Sequence, residues 1–356
     1  MNLKTKKLVE LLKKKNLDAA VIASRPDTVY FSGFTGSASI IIVTLDKAFI
    51  ATDFRYLEHV KELCGDDFNV EKSPGSLDNY MADKIKEFGL RKIGFEDGSI
   101  SVARYSIWAD KLPDVEFNAI QSDIEKIRQI KDKEELRIIQ KAVDIADGAF
   151  SHILQFIKPG VREVEIAAEI EYFMKKSGAT KPSFETIAIS GTRTSMPHGM
   201  PTDKIIENGD PVTMDFGAIL NGYCSDMTRT VFAGNPIKEM KDIYNTVLKA
   251  QIESQMGAVT SKTGMEIDAI SRDIIYGAGY EGYYGHGLGH SVGTEVHENP
   301  RFNTKDTTIM EDGMVMTVEP GIYIPDLGGV RIENMIVING MEPINMTQST
   351  KELIIL

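Results

Sequence analysis

Asp215 and Asp226 flank Asn221-Gly222 within the run Asp210-Pro-Val-Thr-Met-Asp-Phe-Gly-Ala-Ile-Leu-Asn-Gly-Tyr-Cys-Ser-Asp226. Asn-Gly between two apolar-rich runs is the strongest short signal for a two-residue hairpin turn. With Leu220 facing Tyr223, the register sets Gly217 opposite Asp226. Asp215, two residues from Gly217, then shares that face, and the two aspartates become diagonal neighbours. Carboxylates that close repel unless one is protonated or a cation lies between them. On a solvated outer face the pair would need no partner. Val212, Met214, Phe216 and Val231 instead make these strands read as buried, where unpaired charge is costly. The pair points to metal binding or acid–base chemistry.

Three of the six histidines fall in His286-Gly-Leu-Gly-His-Ser-Val-Gly-Thr-Glu-Val-His297, and His198 precedes them in Met196-Pro-His-Gly199. His286 and His290 are four apart, but Gly287 and Gly289 disfavour a helix and let the backbone bend close to a ligand. His59 and His152 read as ordinary residues; His152 falls off the apolar stripe of its helix and is expected to face solvent. Glu319 and Glu333 lie in Met314-Val-Met-Thr-Val-Glu-Pro-Gly-Ile-Tyr323 and Gly328-Gly-Val-Arg-Ile-Glu-Asn334. Both runs are apolar and strand-like, and a buried glutamate needs a partner. Arg331 shares a strand face with Glu333, so a structural salt bridge is the plain alternative for that pair. Four carboxylates and one imidazole match two divalent ions with little charge left over. Oxygen-rich donors favour Mn²⁺, with Co²⁺ or Zn²⁺ as alternatives. Two such ions polarise a water and steady both oxygens of a tetrahedral intermediate.

The elements that must position these residues follow from periodicity. Residues 18–24 read as a buried strand, 39–43 and 48–52 as two strands joined near Asp46, and 77–88 as a helix. Residues 92–95 read as a strand, 101–112 as a helix and 115–120 as a strand: an α/β domain over 1–122. Charged residues 123–133 read as a linker. Asp132 and Glu135 form a predicted capping box, followed by the stripe Leu136, Ile139, Val143, Ala146, Phe150, Ile153 and Ile157. A second helix is predicted over 163–176, closing at Gly178. Beyond Pro182 come strands and glycine-rich turns, with helices near 238–256 and 265–277. Residues 134–356 thus form a second, α+β domain.

The chain has 356 residues, a net charge of -12 and a pI near 5.1. Such a balance argues against nucleic acid and against a polybasic membrane contact. The lysine-rich start, 1–15, lacks the apolar core of a signal peptide and reads as an amphipathic helix. The best apolar run, Ile40 to Val43, is far short of the ~20 residues that span a bilayer. Two cysteines, Cys64 and Cys224, make no disulfide framework and fit a reducing cytoplasm. Cys224 shares a face with Asp226 and reads as a buried thiol.

Met214-Asp-Phe-Gly217, Ser225-Asp-Met-Thr-Arg-Thr230, His286 to Glu298, Thr317-Val-Glu-Pro-Gly-Ile322 and Val330-Arg-Ile-Glu333 together resemble the proline-peptidase branch of the pita-bread metallopeptidases. Gly33-Phe-Thr-Gly-Ser-Ala38 and Thr52-Asp-Phe-Arg-Tyr56 are similar to that branch's creatinase-type N-terminal domain. The resemblance implies an α/β N-terminal domain followed by an α+β catalytic domain with a curved antiparallel sheet covered by helices. It implies that Asp215 binds one metal, His290 and Glu319 the other, and that Asp226 and Glu333 bridge both. Glu319 would also shuttle a proton. His198 would contact substrate, His297 would stabilise the tetrahedral intermediate or product amine, His286 would line the pocket, and Arg331 would orient Glu333 or substrate. Thr294 departs from the aliphatic residue usual near the metal histidine. The expected substrate is a short proline-containing peptide cut at Xaa-Pro by a dipeptidase, with an N-terminal aminopeptidase as alternative, and the expected assembly is a homodimer. Against methionine aminopeptidase stands the extra N-terminal domain. Against metal-free creatinase-like hydrolysis, or a metal-free binding scaffold, stands the complete ligand set.

Overall fold

The computed structural model describes residues 1–356. It divides into two compact units, Met1–Arg128 and Gln129–Leu356. No helix is long and apolar enough to cross a membrane.

The first unit runs α1 (Leu3–Lys15), β1 (Ala19–Ile22), α2 (Arg25–Ser32), β2 (Ser39–Thr44), β3 (Ala48–Thr52), α3 (Leu57–Cys64), β4 (Asn69–Lys72), α4 (Leu77–Glu87), β5 (Lys92–Phe95), α5 (Val102–Lys111), β6 (Glu116–Ala119) and α6 (Gln121–Gln129). Its strands form one mixed sheet in the order β4-β3-β2-β1-β5-β6. The central strands are apolar at nearly every position because both faces are covered. Ala20, Ile22, Ile41, Val43 and Ile50 point to the side packed by Leu8, Leu12, Phe31 and Ile124. Their neighbours Ala19, Val21, Ile40 and Ile42 point to the side packed by Met81, Ile85 and Trp108. This is the period-two alternation of a strand buried twice over. Residues 123–133, read as a linker, begin inside α6. Ile124 and Arg128 on that helix are buried, and Arg128 Nη1 lies 2.7 Å from Asp27 Oδ1 on α2. The charges suggested an exposed connector, but Ile120, Ile124 and Ile127 supply a helical apolar face.

The second unit runs α7 (Lys133–Ile153), α8 (Glu163–Lys176), β7 (Lys181–Pro182), β8 (Ile187–Ser190), β9 (Asp210–Phe216), β10 (Ala218–Leu220), β11 (Tyr223–Cys224), β12 (Met227–Ala233), α9 (Lys238–Gly257), α10 (Gly264–Gly277), β13 (Gly289–Ser291), β14 (Glu298–Phe302), β15 (Val315–Val318), β16 (Gly321–Ile324), β17 (Gly328–Arg331), β18 (Asn334–Val337) and β19 (Ile344–Asn345). The strands pair antiparallel throughout. This is the pita-bread arrangement of antiparallel ladders under helices. The capping box at α7 forms: Asp132 accepts from the Glu135 amide, and Glu135 accepts from the Asp132 amide at 3.0 Å. It starts the helix that buries Ile139, Val143, Ala146, Phe150 and Ile153. His152 on its outer side is no free solvent residue. Its Nε2 lies 2.6 Å from Glu169 on α8, and its ring stacks on Phe173.

A candidate dinuclear metal centre

The hairpin that carries both aspartates has the expected register. Leu220 pairs with Tyr223, and Asp215 with Thr228. Asn221 and Gly222 both take positive φ, 48° and 85°, as a two-residue turn matching strand twist requires. Between the two ladders the strands break at Gly217, where a Cβ would lie 1.8 Å from the Ser225 carbonyl oxygen. Only a glycine lets the strands approach that closely, and this approach brings the aspartates together.

His290 arrives on β13 rather than on a helix. Its amide donates to Thr317 Oγ1 at 3.0 Å, and its Nδ1 lies 3.1 Å from the Ser291 carbonyl. A carbonyl only accepts, so Nδ1 carries the proton and Nε2 keeps its lone pair. That lone pair faces Glu319 Oε1 at 3.4 Å and Asp226 Oδ2 at 3.6 Å. One ligand atom each from Asp226, His290 and Glu333 falls within a 4.8 Å cluster, and all three residues are buried. Glu319 Oε1 also accepts from Thr317 Oγ1 at 3.2 Å.

Arg331 organises the opposite side. Nη2 donates to Asp215 Oδ2 at 2.6 Å, Nη1 to Tyr323 Oη at 3.0 Å and to the Pro197 carbonyl at 3.3 Å, and Nε to Thr228 Oγ1 at 2.9 Å. The Thr228 hydroxyl in turn donates to Glu333 Oε2 at 2.7 Å. A direct Arg331–Glu333 salt bridge was the plain alternative in the sequence. The direct partner of Arg331 is Asp215, and Glu333, which lies between β17 and β18, is reached through Thr228. Tyr323 in turn donates to His286 Nε2 at 2.9 Å, since His286 Nδ1 is spent on the Gly287 carbonyl at 2.8 Å.

Burial, with Glu333 and Asp215 beside it, pushes the Asp226 carboxyl well above the usual range; burial does the same to Glu333, with Glu319 and Asp215 adding to it. Burial lifts Glu319 to about 8 and lowers His290 to about 3 and His286 to about 4. The Cys224 thiol, pushed by burial to about 12, stays protonated. Clustered acids resist ionising, while His290 stays neutral: this electrostatic state is one a cation would reverse. A direct test of fit is the hydrogen-bond inventory. Asp215 Oδ1 and Glu333 Oε1 are buried with no partner, and the separations from His290 Nε2 are too long for hydrogen bonds. Two orphaned oxygens, one bare imidazole nitrogen and neighbouring carboxylates suit divalent cations with oxygen and nitrogen ligands.

All nine residues singled out in the sequence, including His198 and His297, line one cavity of about 690 Å³. The His290 and His297 rings meet edge to face, with centroids 4.4 Å apart. Phe184, Glu185, Met200 and Arg301 also line it and escaped the sequence reading. So did Tyr323, Thr228 and Thr317. A tyrosine inside Gly-Ile-Tyr-Ile was a usable signal, since a buried hydroxyl needs a partner. The threonines carried none.

Paired strands converging carboxylates and a neutral imidazole on a cavity define a metal-dependent hydrolase of the pita-bread fold. Residues 137–340 match Metallopeptidase family M24, and residues 4–130 match the Creatinase/Prolidase N-terminal domain. The chain belongs to metallopeptidase family M24 and is a peptidase. It is 39% identical to the Xaa-Pro dipeptidase of Pyrococcus horikoshii, with 99% of each chain covered. Among solved structures it superposes on the Xaa-Pro dipeptidase from Bacillus anthracis with a TM-score of 0.95, at 42% identity over 99% of each chain. It superposes on the X-Pro aminopeptidase from Thermotoga maritima with a TM-score of 0.93, at 33% identity over 99% of this chain and 100% of that one.

Proposed function

We propose that this peptidase hydrolyses Xaa-Pro dipeptides with two divalent metal ions, Mn²⁺ first among them, held by Asp215, Asp226, His290, Glu319 and Glu333. One observation carries the metal assignment: Asp215 Oδ1 and Glu333 Oε1 are buried without partners, and Glu333 clusters with Asp226 and His290. When bound, such ions supply a nucleophile from water at neutral pH and offset the charge that develops on the carbonyl oxygen.

The chain's own groups do the rest. Glu319 Oε1, beside Thr317 Oγ1, takes the proton from the attacking water and returns it to the leaving nitrogen. His198 and His297 line the cavity and orient the peptide; His297 donates to the oxygen or amine as charge moves. Arg331 fixes Asp215 and, through Thr228, Glu333. His286, tied through Tyr323 to Arg331, closes the wall. An Xaa-Pro bond offers no amide hydrogen and a locked ring. A site that relies on metals and imidazoles does not need that donor.

Exposed Arg301, paired with His290 across the β13–β14 ladder, lines the cavity. It suits the free carboxylate of a dipeptide, one residue beyond the scissile bond, and supports the dipeptidase reading. The Thermotoga maritima likeness favours the second reading, an Xaa-Pro aminopeptidase. A homodimer in a reducing cytoplasm completes the proposal; two free, buried thiols support the compartment.

Hydrolysis of Ala-Pro, Ala-Ala and Ala-Pro-Ala by chelator-stripped protein, with and without Mn²⁺, tests it. Cleavage of Ala-Pro alone, only with metal, is expected. Cleavage of the first bond of Ala-Pro-Ala would make it an aminopeptidase, and cleavage of Ala-Ala alone would remove the proline specificity.

A further inference from the structure

Glu163 opens helix α8, away from the metal cluster, and is fully buried. A fully buried carboxylate is rare unless its oxygens are satisfied. The donors that satisfy this one come from the loop that carries His198. At the loop's start, Ser190 donates from its amide at 2.7 Å and from Oγ at 3.0 Å. Arg193 Nε reaches both oxygens at 3.2 Å. At the loop's end, Thr202 donates from its amide at 3.0 Å and from Oγ1 at 2.9 Å. Arg193 also ties the two limbs together, donating from Nη2 to the Met200 carbonyl at 2.6 Å.

What the loop holds between those ends is the substrate wall. His198 and Met200 line the cavity. The Pro197 carbonyl accepts from Arg331 Nη1 at 3.3 Å, and Arg331 grips Asp215. The buried Thr194 hydroxyl accepts from the Gly329 amide at 2.8 Å, two residues before Arg331. One carboxylate therefore closes a loop whose free conformers would otherwise scatter His198. Ordering such a segment costs about 1–2 kcal/mol per residue.

We propose that Glu163 is a positioning residue for substrate: it clamps the 190–202 loop and so pre-sets His198 and the Pro197 carbonyl at the cavity wall. Binding then orders no loop, and the clamp acts on KM more than on the chemical step. This rests on the reading of the cavity as an Xaa-Pro site.

The test uses the metal-loaded full chain. In Glu163→Gln, which keeps the shape but turns one acceptor into a donor facing the loop's donors, KM for Ala-Pro should rise about tenfold or more while kcat changes less than about threefold. Glu163→Asp should recover part of the loss. In a double-mutant cycle with His198→Ala, the two losses should be strongly non-additive. Additive losses, or a fall in kcat with KM unchanged, would overturn the proposal. Thr202→Val, which removes one hydroxyl and leaves the carboxylate buried, should give a milder rise in KM if Glu163→Gln proves too unstable to purify. Amide hydrogen exchange reads the clamp without activity. Residues 190–202 should lose protection in Glu163→Gln while 315–318 keep theirs; unchanged exchange in the loop sinks the idea even if the wild type cleaves no proline dipeptide, whereas such a wild type with a loosened loop in Glu163→Gln would remove only the Xaa-Pro reading.

Discussion

Arg331 Nη2 donates to Asp215 Oδ2 at 2.6 Å, while Asp215 Oδ1 is buried with no partner. One oxygen is thus held by the guanidinium, and the other is the one we propose for a cation. The same guanidinium reaches Thr228, Tyr323 and Pro197, a planar spread of donors that a lysine cannot copy. Arg331→Met should lower kcat/KM for Ala-Pro by about 10²-fold or more. Arg331→Lys, with its charge intact, should stay within about tenfold of the Met variant. Near wild-type activity in the Lys variant would show that only the charge matters.

The meeting of the two aspartates depends on Gly217. A Cβ there would meet the Ser225 backbone carbonyl at 1.8 Å, and backbone cannot swing aside as a side-chain tip can. Gly217→Ala should destabilise the second unit by about 1–3 kcal/mol, lowering its melting temperature by on the order of 2–10 °C. Metal content of the purified variant should fall as Asp215 and Asp226 separate. An unchanged melting temperature and full metal content would contradict the close strand approach.

How far the sequence predicted this arrangement depended on how local each signal was. The Asn221-Gly222 turn fixed the register of the aspartate hairpin because turn chemistry and strand period act over a few residues. The α7 capping box and the glycines around His290 were legible for the same reason. Helix α2 carried a readable start in Ser24-Arg-Pro-Asp27 and a stop at Gly33, yet its short length hid it next to a strand. The Arg331–Asp215 pair spans 116 residues, and the Glu163 clamp joins a helix start to a loop 27 to 39 residues away. No spacing rule reaches across such gaps; only the folded ladder decides which acid an arginine meets.

Metal removal should act on stability as well as activity. Asp226, Glu319, Glu333 and Asp215 crowd together, with Arg331 beside them and Arg301 acting on Glu319. At free Mn²⁺ about 100-fold above Kd, each occupied site would stabilise the fold by about 2.7 kcal/mol. Chelator-stripped protein should melt several degrees lower and recover with added metal, read by calorimetry alongside Ala-Pro hydrolysis. Identical melting curves with and without metal would argue that no ion is bound at this cluster.

Ligand roles separate from proton transfer in two variants. Glu319→Gln keeps an oxygen donor but cannot carry the proton, so it should retain much of its metal and lose about 10²-fold or more in kcat. His290→Ala removes the bare Nε2 and should lower metal stoichiometry, read by elemental analysis of dialysed protein. Full turnover in the first variant would end the proton-transfer role of Glu319, and unchanged stoichiometry in the second would end the ligand role of His290.

Arg301→Ala tests the choice between the dipeptidase and aminopeptidase readings. It is exposed, stands opposite His290 in the β13–β14 register and lines the cavity. The carboxylate of Ala-Pro is one residue past the scissile bond; that of Ala-Pro-Ala is a residue further out. A charge-assisted contact with a carboxylate is worth more than a neutral one, so Arg301→Ala should raise KM for Ala-Pro by about tenfold. Ala-Pro-amide, which has no terminal charge, should be a poor substrate for the wild type and lose little more in the variant. Equal losses on both substrates would assign Arg301 to the wall rather than to the carboxylate and leave chain-length selection to other groups.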